Sequence, residues 1–396
     1  MKKVIYLDNA ATTPVRKEVI LAMKPYWSQA FGNPGSITKM GVKARQAVEN
    51  SRKSIAECLK ARPQEITFTS GGTEANNLAI FGVVNNLEKK GMKILDMHFI
   101  TTNIEHSSIT ECFNELERRG AKVDYLKVNE NGLIESRDLR KLIKPNTVLV
   151  SVGYANNEIG TIQPIREIAK EIRHARKKYQ GGTLILFHTD ASQAGLYLNL
   201  NVQELGVDIM TLDAQKIYGP KGVGILFKKA TAEISPIIFG GGQEKGLRSG
   251  TENVPLIVGM NVAVGIARKD FEKKVGKIKA IRDYFYEYIQ KEILEAVLNG
   301  DLESRLPNNL NISIPGIDSE FTVFCLDEAG IVCSTRSACK QDDDGSAVVR
   351  ALGKSEEFFK STLRFSLGEN TTKKDIDYVV KTLKNIVQKQ KRFYNY

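Results

Sequence analysis

An α/β fold with a mainly parallel central sheet is predicted by three observations. Short apolar runs that end in polar turns alternate with amphipathic stretches through the first half of the sequence. The 396 residues exceed the roughly 250–300 that one core usually supports, which predicts two domains. Near Pro255 the pattern changes to long charged helical stretches, which predicts a smaller α+β domain.

In chain order, "EITFTS" (Glu65–Ser70) reads as a short buried strand. The following "GGTEANNLAIFGVVNNLEKKG" reads as an amphipathic helix opened by glycines. "HFITTNIEHSSI" is a strand leading into a helix that contains "ECFNELERRG". "TVLVSVGYANNEIG" and "GGTLILFHTDASQAG" are strands closed by polar turns, and "DIMTLDAQKIYGPKGVGILF" holds two strands around a polar link. Beyond Pro255, "EKKVGKIKAIRDYFYEYIQKEILEAVL" reads as long helix, "NNLNISIPG" as strand and "KKDIDYVVKTLKNIVQKQ" as the closing helix. The expected division is 16–255 for the large domain, with 1–15 and 256–396 forming the small one. Ligands of such sheets bind beyond the carboxyl ends of the strands. That directs attention to Ser70–Asn76, Glu105–His106, Asn156–Asn157, His188–Gln193 and Asp213–Lys216.

Composition narrows the function. Hydrophobic residues at 42% and charged residues at 26% describe an ordinary globular chain. No apolar run reaches the roughly 18–20 residues that span a bilayer, and "MKKVIYLDNAATTPVRKE" has no apolar h-region. The expectation is a cytoplasmic protein without membrane contact. The five cysteines (Cys58, Cys112, Cys325, Cys333, Cys339) are odd in number, and no CxxC occurs, so neither a disulfide framework nor a metal site is expected. The net charge of +11 is spread along the chain, so direct nucleic-acid binding is not expected.

Three stretches can carry chemistry. In "SGGTEANN", Gly72 and Thr73 offer N–H groups and a hydroxyl at a positive helix end, which suits a phosphate. The same residues also suit a tight turn with an N-capping threonine. Asp190 follows an apolar strand, where a buried carboxylate wants a cation: a protonated ring nitrogen, or an Arg or Lys. Gln193 stands one turn further on. Lys216 is expected to end a strand before a Gly-Pro turn, as a Schiff-base lysine would, though the chain holds many surface lysines. A phosphate cradle, a strand-end aspartate and a strand-end lysine, in that order, are the fixtures that pyridoxal phosphate requires.

The chain resembles the cysteine desulfurases of the class V aminotransferase group, which have the type I pyridoxal-phosphate transferase fold. That fold has a seven-stranded sheet flanked by helices, with a smaller α+β domain. The shared stretches run almost end to end: "YLDNAATTP", "FGNPGS", "SGGTEANNLAI", "IEHSSI", "NNEIGTIQPI", "HTDASQAG", "KIYGPKGVG", "GGGQEKGLRSGTEN", "SACK" and "LRFSLG". By position the resemblance implies Lys216 as the Schiff-base lysine, Asp190 on the pyridinium nitrogen and His106 stacked on the ring. It places Gln193 and Asn157 near the phenolic oxygen and substrate, and Gly72 and Thr73 on the phosphate. Thr251 would join the phosphate from a second subunit of a homodimer. Arg364, assisted by Asn33, would grip the substrate carboxylate through its planar fork. Cys339 would be the nucleophile, attacking the sulfur of L-cysteine as a thiolate to leave an enzyme persulfide and alanine. The implied acceptor is an iron–sulfur scaffold or a tRNA-thiolation relay protein. A selenocysteine lyase or related β-lyase is the alternative within the group, and a non-catalytic scaffold of a sulfur-transfer complex is the alternative outside enzymology.

The chain departs from that pattern at four places. Where the group usually has Ser-x-His-Lys, this chain has Asp213, Ala214, Gln215 and Lys216. A carboxylate beside a phosphate dianion should repel it, so Asp213 turns away, pairs with a cation, or shifts the cofactor. Thr38 stands where a histidine is common. Arg336 stands where glycine is common, adding a cation that favours the Cys339 thiolate. Cys333, after the apolar "GIV", is expected to be a small buried side chain.

Overall fold

The computed structural model describes residues 4–179, 184–335 and 345–394. Twelve strands occur among them, in chain order β1 (Ile5–Tyr6), β2 (Ile66–Thr69), β3 (His98–Thr102), β4 (Lys122–Leu126), β5 (Thr147–Ser151), β6 (Leu186–Asp190), β7 (Ile209–Asp213), β8 (Gly224–Lys228), β9 (Val297–Leu298), β10 (Asn309–Ser313), β11 (Ile331–Val332) and β12 (Thr362–Ser366). A seven-stranded sheet has the order β2-β8-β7-β6-β5-β3-β4. β7, β6, β5, β3 and β4 run parallel, whereas β8 runs against both β7 and β2.

Both faces of this sheet are covered, which explains why its strands read as continuous apolar runs. Ile100, Val150, Phe187, Met210 and Ile225 point into one buried cluster. Their chain neighbours Phe99, Leu149, Leu186, Ile209 and Leu226 point into a second, with Leu78 and Ile80 of helix Gly72–Lys89 and Phe113 of helix Ser107–Arg118. Alternation of side chains along each strand thus feeds two cores.

After the sheet, helix Val254–Arg268 packs on helix Lys39–Leu59. A three-stranded antiparallel sheet follows, ordered β12-β10-β9. The long charged stretch read as one helix through Leu298 ends at Glu292, and Val297–Leu298 pairs with β10 instead. Helices Phe271–Glu292 and Lys373–Tyr394 lie together and are joined by Lys384–Glu292 at 2.7 Å. Phe285 meets Phe365 of β12 edge-on, with ring centroids 5.1 Å apart.

The N-terminal residues belong to this later part of the chain. β1 pairs in parallel with β11, and the Ser366 N–H donates to the Leu7 carbonyl at 2.7 Å. Asp8 to Ala11 are thereby drawn over the carboxyl ends of the central strands. One buried ion pair fixes the segment before helix Val254–Arg268. Arg52 donates from both terminal nitrogens to Glu244, at 2.7 and 2.8 Å, and Glu244 also accepts the Phe68 N–H of β2 at 2.9 Å.

Candidate active site

Residues that follow β2, β3, β5, β6 and β7 line one cavity of about 240 Å³ at the carboxyl ends of the parallel strands. Gly72, Thr73, His106, Asn157, Asp190, Gln193, Lys216 and Arg364 all contribute to it. These come from positions 72 to 364: all but Arg364 lie at or beyond strand ends of the seven-stranded sheet, and Arg364 reaches the cavity from β12 of the three-stranded one.

Lys216 does not end a strand. Asp213 closes β7, and Ala214–Lys216 form a single 3-10 turn whose entry the Asp213 carboxylate caps by accepting the Gln215 N–H at 3.2 Å. That turn swings Lys216 back under the N-terminal segment. Its Nζ donates to the carbonyls of Ala10 at 2.9 Å and Ala11 at 2.6 Å. Gln193 donates to the same Ala10 carbonyl at 3.0 Å.

Asp190 is held at the end of β6 by donors on both oxygens. Oδ1 accepts from the Ser192 N–H at 2.9 Å and its hydroxyl at 2.6 Å, and Oδ2 accepts from Asn76 Nδ2 at 2.8 Å. Asn76 also donates to Ser108 Oγ at 2.9 Å, and Ser108 Oγ lies 2.8 Å from His106 Nδ1. His106 caps helix Ser107–Arg118, its Nδ1 accepting the Ser108 N–H at 3.1 Å. An accepting Nδ1 belongs to a neutral imidazole, and burial pushes the His106 pKa down in the same sense, against the pull of Asp190. One hydrogen-bonded chain thus orients a flat neutral ring and a carboxylate around the same space.

The neighbouring Glu105 lines the cavity too. It accepts from the Thr102 hydroxyl at 2.7 Å and from the Gly153 N–H at 2.9 Å. Burial nevertheless raises its carboxyl to about 7.

Gly71 and Gly72 open helix Gly72–Lys89. Gly71 has φ 152°, a region that favours glycine, and it supplies no side-chain cap. A Cβ at Gly72 would meet Ser192 Oγ at 3.2 Å and Asp213 Oδ2 at 3.3 Å. Asp213 has not turned away and makes no ion pair among the described residues: its Oδ2 accepts the Gly72 N–H at 3.2 Å and Gln215 Nε2 at 3.1 Å.

Arg364, at the centre of β12, is fully buried. Nη2 donates to Asp8 at 2.8 Å, Nη1 donates to the Asn157 carbonyl at 3.1 Å, and Nε has no hydrogen-bond partner among the described residues. A guanidinium lining a polar cavity suits a carboxylate ligand.

Two expected residues lie elsewhere. Asn33 is exposed outside the cavity lining, and its side chain accepts the Gly35 N–H at 2.9 Å. Thr251 is exposed on a separate cleft, with Arg248 and Glu244. Thr38 caps helix Lys39–Leu59 by accepting the Gly41 N–H at 3.2 Å. Cys339, Arg336 and Lys340 fall outside the described residues. Cys333 is buried and free of any disulfide, its thiol pushed up to about 12 by burial. Sequence reading gave no role to Asp8 or Ser108. Asn76 and Glu105 lay within stretches singled out by position, but nothing local announced their partners.

Residues 5–379 match the family described as Aminotransferase class-V. A curated relative from Dictyoglomus turgidum, named cysteine desulfurase IscS, is 43% identical over 98% of this chain and 96% of its own length. A solved NifS-like protein superposes with a TM-score of 0.89 at 34% identity, over 98% of this chain and all of that one. A solved structure of SspA in complex with cysteine gives a TM-score of 0.78 at 35% identity, over 93% of this chain and all of that one. No helix among the described residues is long and apolar enough to cross a membrane.

Proposed function

Since the chain belongs to the aminotransferase class-V family, we propose that it is a pyridoxal 5'-phosphate-dependent cysteine desulfurase that converts L-cysteine to L-alanine and takes the sulfur onto Cys339. The observation that carries this reading is a cavity lined together by an amine (Lys216), a fixed carboxylate (Asp190) and a guanidinium (Arg364).

The residues fit the cofactor. Lys216 offers an amine for its aldehyde, Asp190 a carboxylate for its ring nitrogen and His106 a neutral ring to lie against it. Gly72 and Thr73 stand at the positive end of an 18-residue helix, where the phosphate belongs. When bound, pyridoxal phosphate supplies the electron sink that makes the substrate Cα proton acidic. Around it Arg364 and Asn157 bind and orient the amino acid, and Gln193 holds the Ala10 carbonyl in place. Lys216, which the Ala10 and Ala11 carbonyls accept from, takes up the Cα proton. Cys339 receives the sulfur as a thiolate, and Arg336 favours that ionisation through its charge.

A homodimer is part of the proposal. The exposed Thr251 is available to a second copy, and Trp27, Phe31, Ile37 and Phe239 present apolar side chains to the outside. The physiological role proposed is sulfur supply to an iron–sulfur scaffold or a tRNA-thiolation relay protein, in the cytoplasm. The test is an absorption spectrum of the purified protein for a lysine-bound aldehyde, with alanine and sulfide measured from cysteine. Lys216→Ala is expected to lose the band, and Cys339→Ala to lose alanine formation while keeping it. A parent protein without the band sinks the cofactor assignment.

A further inference from the structure

The head of helix Gly72–Lys89 already carries an anion. Its N-cap residue, Gly71, has no side chain to satisfy the first N–H groups, and the Asp213 carboxylate takes one of them, accepting from Gly72 at 3.2 Å. Asp213 is buried and lines the cavity. Its carboxylate is held there by two further donors, the Gln215 N–H at 3.2 Å and Gln215 Nε2 at 3.1 Å. The other acid of this helix turn, Glu74, faces elsewhere: it accepts from Arg248 at 2.8 Å and from the Ser70 N–H at 2.8 Å. Lys216, two residues after Ala214 in the same turn, donates to the Ala10 and Ala11 carbonyls.

A helix N-terminus stabilises one negative group well, and the same N–H cannot be donated fully to two. Two like charges at contact distance disfavour one another. Resting on the cofactor reading above, we propose that Asp213 is a built-in competitor for the cofactor's phosphate. The side chain holds the helix head when no phosphate does, and bound phosphate must share or displace it. This chain therefore gains less affinity from the phosphate group than its cavity would give with a neutral residue at 213, and Gln215 is the residue that keeps the carboxylate in place.

The experiment compares the parent with Asp213→Asn and Asp213→Ser after the cofactor has been stripped with a carbonyl-scavenging amine. Pyridoxal phosphate and pyridoxal are each titrated, followed by absorbance. Both substitutions are expected to tighten pyridoxal phosphate by about tenfold or more and to leave pyridoxal unchanged. In parallel, inorganic phosphate is expected to raise the melting temperature of the stripped variants more than that of the stripped parent. The idea is overturned if both variants bind pyridoxal phosphate no tighter than the parent, or if pyridoxal tightens by the same factor. Should no protein take up either aldehyde, the cofactor reading falls, and the inorganic-phosphate comparison still decides the role of Asp213.

Discussion

Asp8 and Arg364, 356 residues apart in sequence, form an ion pair of 2.8 Å at the edge of the cavity. Arg364 is the more deeply buried partner, so the pair fixes how its guanidinium is oriented. Asp8→Asn leaves that buried charge unmatched and should cost about 3 kcal/mol of stability, read from urea unfolding. Arg364→Lys keeps the charge and loses the planar fork. It should lower kcat/KM for cysteine by about a hundredfold, mostly through KM, and an unchanged KM would remove Arg364 from substrate binding.

Glu105 makes stability depend on pH in an unusual direction. Its carboxyl is raised from 4.5 to about 7, chiefly by burial. Below the unfolded value both states are protonated and nothing is gained or lost. As pH rises from 4.5 to 7 the unfolded chain releases a proton that the folded chain keeps, so stability falls, and the penalty is complete above 7. Glu105→Gln should therefore abolish a loss on the order of 2 kcal/mol between pH 5 and pH 8. Parallel stability curves for parent and variant would contradict this.

The cysteines should separate cleanly. Cys333 is buried with its thiol pushed up to about 12, so it is mostly un-ionised at neutral pH. Cys333→Ala should leave sulfur transfer intact and cost about 1 kcal/mol of packing. Cys339→Ala should abolish alanine formation, and Arg336→Gly, with Cys339 kept, should slow alkylation of the Cys339 thiolate. Mass-spectrometric mapping of iodoacetamide adducts distinguishes the two sites, and labelling at Cys333 ahead of Cys339 would reverse the assignment.

Glu244 is bound to Arg52, with side-chain exposures of only 2% and 5%. Glu244→Gln preserves shape but strands a buried guanidinium. The expected cost is about 3 kcal/mol in guanidinium-chloride unfolding. Because Thr251 follows on the same segment, the variant should also dissociate more readily in analytical ultracentrifugation if the homodimer is as proposed.

The sheet strands could be read locally because both faces are covered: "TVLVS" and "ILFHTD" carry few residues that suit solvent. β4 escaped the reading because it is an edge strand, and its "KVDYL" mixes charge with apolar side chains. β9 was absorbed into the preceding helix because "EAVL" has no local mark of a strand. Within the site, Asp190 and Lys216 could be picked out from apolar runs that end in polar turns. Their supports could not. Asn76 reaches Asp190 across 114 residues, and Ala10 reaches Lys216 across 206. Such contacts follow from strand order and from β1 joining β11, neither of which has a signature in a short window. Asn33 shows the converse. Its role beside Arg364 is implied by the resemblance alone, and in the structure the side chain closes its own exposed turn.

The pairing of β1 with β11 also has a meaning for synthesis. The central sheet, spanning Ile66 to Lys228, can form while the later residues are still within the ribosome, and most of the cavity wall forms with it. Asp8, Ala10 and Ala11 leave the ribosome first, yet they reach their final places only with β11 and Ser366. The nascent chain therefore carries the strand ends around Asp190 and Lys216 long before Asp8 can meet Arg364. Order of emergence separates building the cavity's floor from closing its far corner.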